Sequence, residues 1–279
     1  MKVLIKLGGT LLDDPAGLQA VAWQLSKVAD GCELAVVHGG GKQVTRFLEE
    51  RGVTSRFVGG LRVSDEAVID AVTKVIAGTV NKQLVAALIA AGRAAVGISG
   101  VDGTLTSAVQ LAPELGFVGK PVKTEGRLLD LLLKGGYTPV VACIAGDDRG
   151  GVFNVNADQM AVSCALGWQA DKLFFLTDVA GVKNAAGDVI QDLTPADVSE
   201  LIASGVAKGG MQAKLEAALT ALHGGLSEVT IAPGRESNIC ARLLAGDPVG
   251  TRLSFATALN DPTLSDPASN DPALKASEK

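Results

Sequence analysis

Residues 2–9 read Lys2-Val3-Leu4-Ile5-Lys6-Leu7-Gly8-Gly9, and residues 34–41 read Leu34-Ala35-Val36-Val37-His38-Gly39-Gly40-Gly41. Each is a short apolar run that ends in glycine, which predicts buried strands at Val3–Leu7 and Leu34–Val37. Between them Leu18, Val21, Ala22, Leu25, Val28 and Ala29 share one helical face. The same rhythm continues outward. Val44, Phe47 and Leu48 begin a helix that Gly52 stops, and Val68, Val72, Val75 and Ile76, then Leu84, Ala87 and Leu88, mark further helical faces. Ala94–Ile98, Pro139–Ala145, Lys172–Leu176 and Glu228–Ala232 complete the predicted strands. This alternation predicts an α/β fold, a three-layer αβα sandwich with a mostly parallel central sheet. Leu105–Val122, with its Gly, Pro and Thr content, breaks the rhythm and reads as inserted β-hairpins. Asp147-Asp148-Arg149-Gly150-Gly151 reads as a hairpin turn, and its two acids suit a solvated turn better than a metal site.

Composition narrows the function. The 279 residues suggest roughly two domains at about 150 residues each. Apolar residues make up 47% and charged residues 20%, enough for a core and unlike a disordered chain. A net charge of −5 argues against a nucleic-acid partner, which usually demands a basic excess. The 34 glycines, about 12% against a usual 7% or so, point to tight turns and close approach of backbone to a ligand. Cys32, Cys143, Cys164 and Cys240 lack redox or zinc spacing and read as reduced thiols. His38 and His223 are too few and too far apart for a metal cluster, so no protein metal site is expected. No apolar run approaches 18 residues and the first is too short for a signal peptide, so a cytoplasmic protein without membrane attachment is expected. Asp261-Pro262, Asp266-Pro267 and Asp271-Pro272 recur with few large apolar residues between them, and residues 257–279 read as a mobile tail.

Ligands of open parallel sheets gather at the carboxyl ends of the strands. Gly8-Gly9, Gly39-Gly40-Gly41 and Ser99-Gly100-Val101-Asp102-Gly103 all follow predicted strands. Glycine lets backbone N–H groups converge on an anion, and a helix N-terminus adds positive potential. Neither known phosphate grammar applies. Val36 and Gln43 break a Walker loop around Gly41-Lys42, and no G-x-G-x-x-G follows the early strands, which argues against a nicotinamide enzyme. Lys6 stands in an otherwise apolar strand, as an edge residue reaching solvent or, with Gly8-Gly9 after it, as an anion ligand. In Asn154-Val155-Asn156-Ala157-Asp158 an extended chain puts both amides on one side, and Asp158 either caps a helix or organises lysines. Thr177-Asp178-Val179-Ala180-Gly181-Val182 ends a strand. Lys208-Gly209-Gly210-Met211 precedes a helix with Lys214 expected on its first turn, a solvated residue or a phosphoryl ligand.

Taken together with Gly60-Leu61-Arg62-Val63 and Asn81-Lys82, these pieces resemble the amino-acid kinase family from Lys2 to about Ser254. The Gly-Leu-Arg-Val and Asn-Val-Asn-Ala-Asp stretches resemble the members that act on N-acetylglutamate. The resemblance implies ATP-dependent phosphorylation of the side-chain carboxylate of N-acetyl-L-glutamate in arginine biosynthesis. It implies that Lys6 and Lys214 neutralise the phosphoryl oxygens and that Asp158 holds both lysines. Gly8, Gly9 and Gly41 would offer N–H groups, Gly40 and Gly41 would lie against the substrate, Arg62 would clamp its α-carboxylate and Asn154 its acetamido or carboxylate end. Asp178 to Val182, Thr177, and Lys208, Gly209, Gly210 and Met211 would surround the nucleotide. Mg²⁺ would be carried mainly by ATP oxygens. Residues 1–170 would form the acyl-amino-acid lobe and 171–256 the nucleotide lobe.

The chain departs from the family pattern at Gly60 and at Leu111–Glu125, which does not map onto it. It also starts directly at the first strand, from which a homodimer without arginine feedback is expected. The rival readings are a kinase of carrier-protein-linked glutamate or aminoadipate, disfavoured by the acidic charge, and a catalytically inactive sensor, disfavoured because Lys6, Asp158 and Lys214 are all present.

Overall fold

The computed structural model describes residues 1–29 and 31–255. The expected tail, 257–279, lies outside the described residues. The chain forms β1 (Lys2–Leu7), α1 (Pro15–Ser26), β2 (Glu33–His38), α2 (Gly41–Glu49), β3 (Phe57–Val58), β4 (Leu61–Arg62), α3 (Glu66–Val72), α4 (Asn81–Ala90) and β5 (Ala95–Ser99). It continues with β6 (Thr106–Gln110), β7 (Val118–Thr124), α5 (Arg127–Lys134), β8 (Thr138–Ala142), β9 (Ile144–Gly146), β10 (Val152–Val155) and α6 (Ala157–Trp168). β11 (Lys172–Thr177), β12 (Asp192–Leu193), α7 (Pro195–Ala203), α8 (Gly209–His223), β13 (Glu228–Pro233), α9 (Ile239–Ala245) and β14 (Thr251–Ser254) follow.

One eight-stranded sheet runs β12-β14-β13-β11-β1-β2-β8-β5, parallel throughout except between β13 and β14. Its middle strands are nearly continuous apolar runs because both faces are covered. Helices α1, α4 and α9 pack on one face; α5, α6, α7 and α8 pack on the other. The expected α/β sandwich is therefore present. Lys6 lies opposite Val37 on one side and Phe175 on the other, so β1 is central and the edge-strand alternative for this lysine is excluded.

Two local readings change and one holds. The predicted strand Pro139–Ala145 is two strands, broken at Cys143. There the chain leaves the main sheet and enters a small closed barrel ordered β10-β7-β6-β9, which holds the expected hairpins. The turn reading of residues 147–151 holds: Asp147 Oδ1 accepts the N–H groups of Arg149 (2.9 Å) and Gly151 (2.6 Å). The second change is that α3, a π-helical run Thr73–Val80 and α4 form one unbroken helix, Glu66–Ala90, of 25 residues and mean hydropathy 1.2. It is long and apolar enough to cross a bilayer by length and composition alone, although charged residues interrupt it and no apolar run in it approaches 18 residues. In this fold it carries Asp70, Lys74 and Lys82 and packs against α1, α2, β5 and β8. Cys143, Cys164 and Cys240 are buried free thiols, which burial pushes up to about 12.

Candidate active site

The carboxyl ends of β1, β2 and β8 open into a cavity of about 220 Å³, lined among others by Lys6, Gly9, Gly40, Gly41, Arg62 and Asn154. The barrel supplies Asn154 from β10, and the β3–β4 hairpin supplies Arg62. A larger open groove, about 550 Å³, lies at the opposite ends of β1, β11 and β13. Its Asp171 is already committed to the Lys2 N–H at 2.6 Å, and it has no comparable convergence of charge.

Beneath the cavity, Asp158 stands between two lysines. Lys6 Nζ is 2.7 Å from Oδ1 and Lys214 Nζ is 2.9 Å from Oδ2. The Lys214 contact is a hydrogen bond. The Lys6 contact is a close ion pair to Oδ1. All three groups are buried, so each charge depends on the others. Burial raises the Asp158 carboxyl, but the ammonium groups of Lys6 and Lys214 outweigh it and hold it down to about 2. Lys214 is shifted below its ordinary value by burial and by Lys6, with Asp158 opposing. The result is a fixed carboxylate with two cations and one net positive charge.

The alternative that Asp158 is the helix cap gives way to Asn156. The Asn156 carboxamide accepts the N–H groups of Asp158 (2.9 Å) and Gln159 (3.2 Å), which frees the Asp158 carboxylate for the lysines. Lys214 sits on the second turn of α8 rather than the first, because the helix already begins at Gly209. There it faces inward over Phe175, 5.7 Å from the ring centroid.

Side chains cap α1, α3, α6 and α7; none caps α2, α4, α5, α8 or α9, and of these α2 and α8 begin at the glycine clusters singled out above. The N–H groups of Gly9 and Gly41 have no protein acceptor among the described residues, and a Cβ built on Gly9 would stand 3.6 Å from Gly41 N. Two free donors thus lie side by side near Lys6. Gly8 does not join them: its N–H donates to Leu176 O at 2.8 Å and extends the sheet, which corrects its expected donor role.

Arg62 is 8% exposed and stacks on Phe57, with the guanidinium carbon 4.7 Å from the ring centroid. Its Nη2 donates to Gly41 O (2.8 Å) and Thr45 Oγ1 (2.7 Å), and its Nη1 donates to Ser55 Oγ. Asn154 Nδ2 donates to Ser64 Oγ at 3.1 Å, and Ser64 Oγ donates to the carbonyl of Arg62 at 2.9 Å. Buried Ser64 therefore ties the two expected substrate ligands together, and the sequence offers no signal for it beyond its place two residues after Arg62.

The expected nucleotide residues have a different character. Asp178, Val179, Lys208, Gly209 and Gly210 are exposed, at the end of β11 and the start of α8. Thr177 is buried and donates to Asp178 Oδ1 at 3.2 Å. Met211 is half-buried. Gly181 and Val182 are not on that face. Val182 is a core residue whose N–H goes to Thr251 Oγ1 at 2.8 Å, and a Cβ on Gly181 would meet Thr251 and Val189 at 2.8 Å. Among the described residues no group of three or more His, Cys, Asp and Glu side chains is arranged to hold a metal ion.

The sequence profile of the amino acid kinase family matches residues 1–233. The chain belongs to this family. It is 54% identical over 257 residues to an acetylglutamate kinase of Solibacter usitatus, covering 92% of this chain and all of that relative. It is 44% identical over 240 residues to an acetylglutamate kinase of Cereibacter sphaeroides, covering 85% of this chain and 82% of the relative. Among solved structures, an N-acetylglutamate synthase of Neisseria gonorrhoeae, complexed with coenzyme A and N-acetyl-glutamate, superposes with a TM-score of 0.79. That match has 25% identity and covers 92% of this chain and 60% of the longer synthase chain.

Proposed function

We infer that this chain is an ATP-dependent kinase that transfers the γ-phosphoryl group of ATP to the side-chain carboxylate of N-acetyl-L-glutamate. The products are N-acetyl-L-glutamyl 5-phosphate and ADP, and the step belongs to arginine biosynthesis. The observation that carries this reading is the placement of two lysines on one buried carboxylate, beside the free N–H groups of Gly9 and Gly41 and beneath a cavity that holds Arg62 and Asn154.

An ionised carboxylate attacks phosphorus without losing a proton, so the reaction needs no general base. The work left to the protein is alignment and charge compensation, the usual division of labour in phosphoryl transfer. Lys6, on the cavity wall, meets the transferring oxygens from the acceptor side, and Lys214 meets them from the nucleotide side. Asp158 keeps the two cations together without contacting substrate. Gly9 and Gly41 donate to the equatorial oxygens as charge gathers there. Arg62 takes the α-carboxylate by exchanging Gly41 O and Thr45 for it, a planar match that lysine lacks. Asn154 holds the acetamido end. Residues Thr177 to Val179 and Lys208 to Met211 border the nucleotide, with the uncapped start of α8 directed at its phosphates. Mg²⁺ would arrive with ATP and be held by phosphate oxygens, since both Asp158 oxygens already face ammonium groups.

The acyl-amino-acid lobe, 1–170, and the nucleotide lobe, 171–256, are retained as the working division of the chain, and a cytoplasmic homodimer as its working state, to be checked by sedimentation. ADP formation with a panel of N-acetylglutamate, glutamate, carrier-linked glutamate and carbamate tests the substrate. The reading expects N-acetylglutamate to lead by orders of magnitude; preference for another acceptor would refute it.

A further inference from the structure

Asn81-Lys82 has no part in the chemistry above, yet Asn81 is 1% exposed and is bound on every side. Its Nδ2 lies 3.0 Å from His38 Nε2 and 2.9 Å from Val140 O, with Ile98 O farther away at 3.5 Å. Its Oδ1 accepts from Lys82 Nζ at 3.0 Å, and the same ammonium donates to Gly97 O at 2.9 Å. Carbonyls only accept and ammonium groups only donate, so the amide has one possible orientation. Asn81 must then donate to His38 Nε2, which leaves the imidazole proton on Nδ1. That nitrogen is 2.9 Å from Gly39 O, to which it donates.

The polarity therefore runs one way, from Lys82 through Asn81 and His38 to the carbonyl of Gly39. In a trans peptide the C=O and N–H point in opposite directions. Fixing Gly39 C=O on the buried imidazole turns the Gly40 N–H the other way. Gly40 lines the cavity, and a Cβ built on Gly9 would stand 3.7 Å from Gly40 N. The π-helical run before Asn81 supports the same loop, because Ile76 and Val80 would each lie 3.3 Å from a Cβ on Gly40. Space for the Asn81 amide is reserved on β5. A Cβ on Gly97 would stand 1.9 Å from Asn81 Oδ1, although Gly97 has no positive φ to explain a glycine there.

Resting on the acceptor-site reading above, we propose that exposed Lys82 and buried Asn81 and His38 form a positioning relay. It holds the Gly39–Gly40 peptide so that the Gly40 N–H joins those of Gly9 and Gly41 around the transferring group. Burial and the nearby Lys82 charge push the imidazole down to about 4, opposed by the bond to Gly39 O, so His38 is neutral at physiological pH. The relay moves no proton; it fixes a direction.

The parent protein tests the relay without turnover. A nitrogen–proton correlation spectrum of the His38 imidazole at neutral pH is expected to show Nδ1 protonated and Nε2 bare; an Nε2–H tautomer overturns the proposal. Variants then test the consequence. Folded His38→Leu is expected to lose on the order of tenfold or more in kcat, with KM for both substrates within about threefold. His38→Asn places an amide nitrogen near the Nδ1 position and is expected to restore kcat to within about threefold of the parent. Gly97→Ala reaches the relay from its far side and is expected to lower kcat at least about fivefold at near-constant KM. Parent-like kcat in folded His38→Leu or Gly97→Ala, or no recovery in His38→Asn, overturns the relay. If the parent does not phosphorylate N-acetylglutamate, the substrate reading fails, while the tautomer still decides the relay.

Discussion

The proposed acceptor cavity and the proposed nucleotide face are built on the same sheet but prepared to different degrees. On the acceptor side Lys6, Arg62 and Asp158 are all under 9% exposed, and each polar group is held by a neighbour before any substrate arrives. On the nucleotide side Lys214 and Thr177 are buried, but Asp178, Val179, Lys208, Gly209 and Gly210 are exposed, and the helix that starts at Gly209 has no side-chain cap. Preorganised charge in a buried site is where electrostatic catalysis is strongest. An open surface of backbone donors instead gives tolerant anion binding. On the proposed function, rate and acceptor choice belong to the buried side and nucleotide capture to the open one.

Breaking the buried side should have the largest effect. Lys6→Ala and Lys214→Ala are each expected to lower kcat on the order of 10²–10³-fold, as loss of a preorganised donor does, with smaller changes in KM. Steady-state kinetics of both variants would show it; near-parental turnover in either would remove that lysine from the chemistry. Asp158→Asn sharpens the comparison by separating structure from rate. It leaves two ammonium groups facing each other, and loss of one partner from a buried charge set costs about 3–5 kcal/mol. A marked drop in melting temperature with a fall in turnover is expected, and an unchanged melt would contradict the bridging role.

The same carboxylate fixes a pH dependence. Asp158 is held at about 2 against an ordinary 3.8. A folded-state value below the unfolded one means stability that is complete above the unfolded value and is lost as the pH falls through the folded one. Acid unfolding should therefore include a component between about pH 4 and about pH 2 that Asp158→Asn lacks. Overlapping acid transitions for parent and variant would count against it. Arg62→Lys is expected to raise KM for the acceptor about tenfold while leaving KM for ATP nearly unchanged, because only the bidentate fit is lost. An equal rise in both constants would blur the division of labour. The smallest effect belongs to the open face: Val179→Ala should change kcat and KM for ATP by less than about threefold.

What the sequence revealed, and what it hid, follows the same boundary between local and distant order. Apolar runs ending in glycine mark β1 and β2 because burial on both faces and a tight turn are local properties. The two-residue strands β3, β4 and β12 are too short to carry a pattern, and β14, paired antiparallel to β13, follows a different connection from the rest. The split at Cys143 is invisible because the apolar run continues from sheet into barrel. At the site, Lys6 is conspicuous as a charge in an apolar strand. Its partner Asp158 is ambiguous, because an acid near a helix start serves equally as a cap, and only the Asn156 carboxamide settles the matter. Gly8 and Gly9 look alike in sequence; the Leu176 carbonyl makes them different. Val182 continues a surface loop in sequence yet turns into the core.

The convergence of Lys6 and Lys214 on one migrating phosphoryl group is tested most directly by a crystal structure with ADP, N-acetylglutamate and a planar fluoride mimic of that group. Both Nζ atoms are expected within about 3 Å of the mimic, with Asp158 still between them and away from it. A structure in which either ammonium group turns from the mimic toward solvent or a separate cavity would contradict the account.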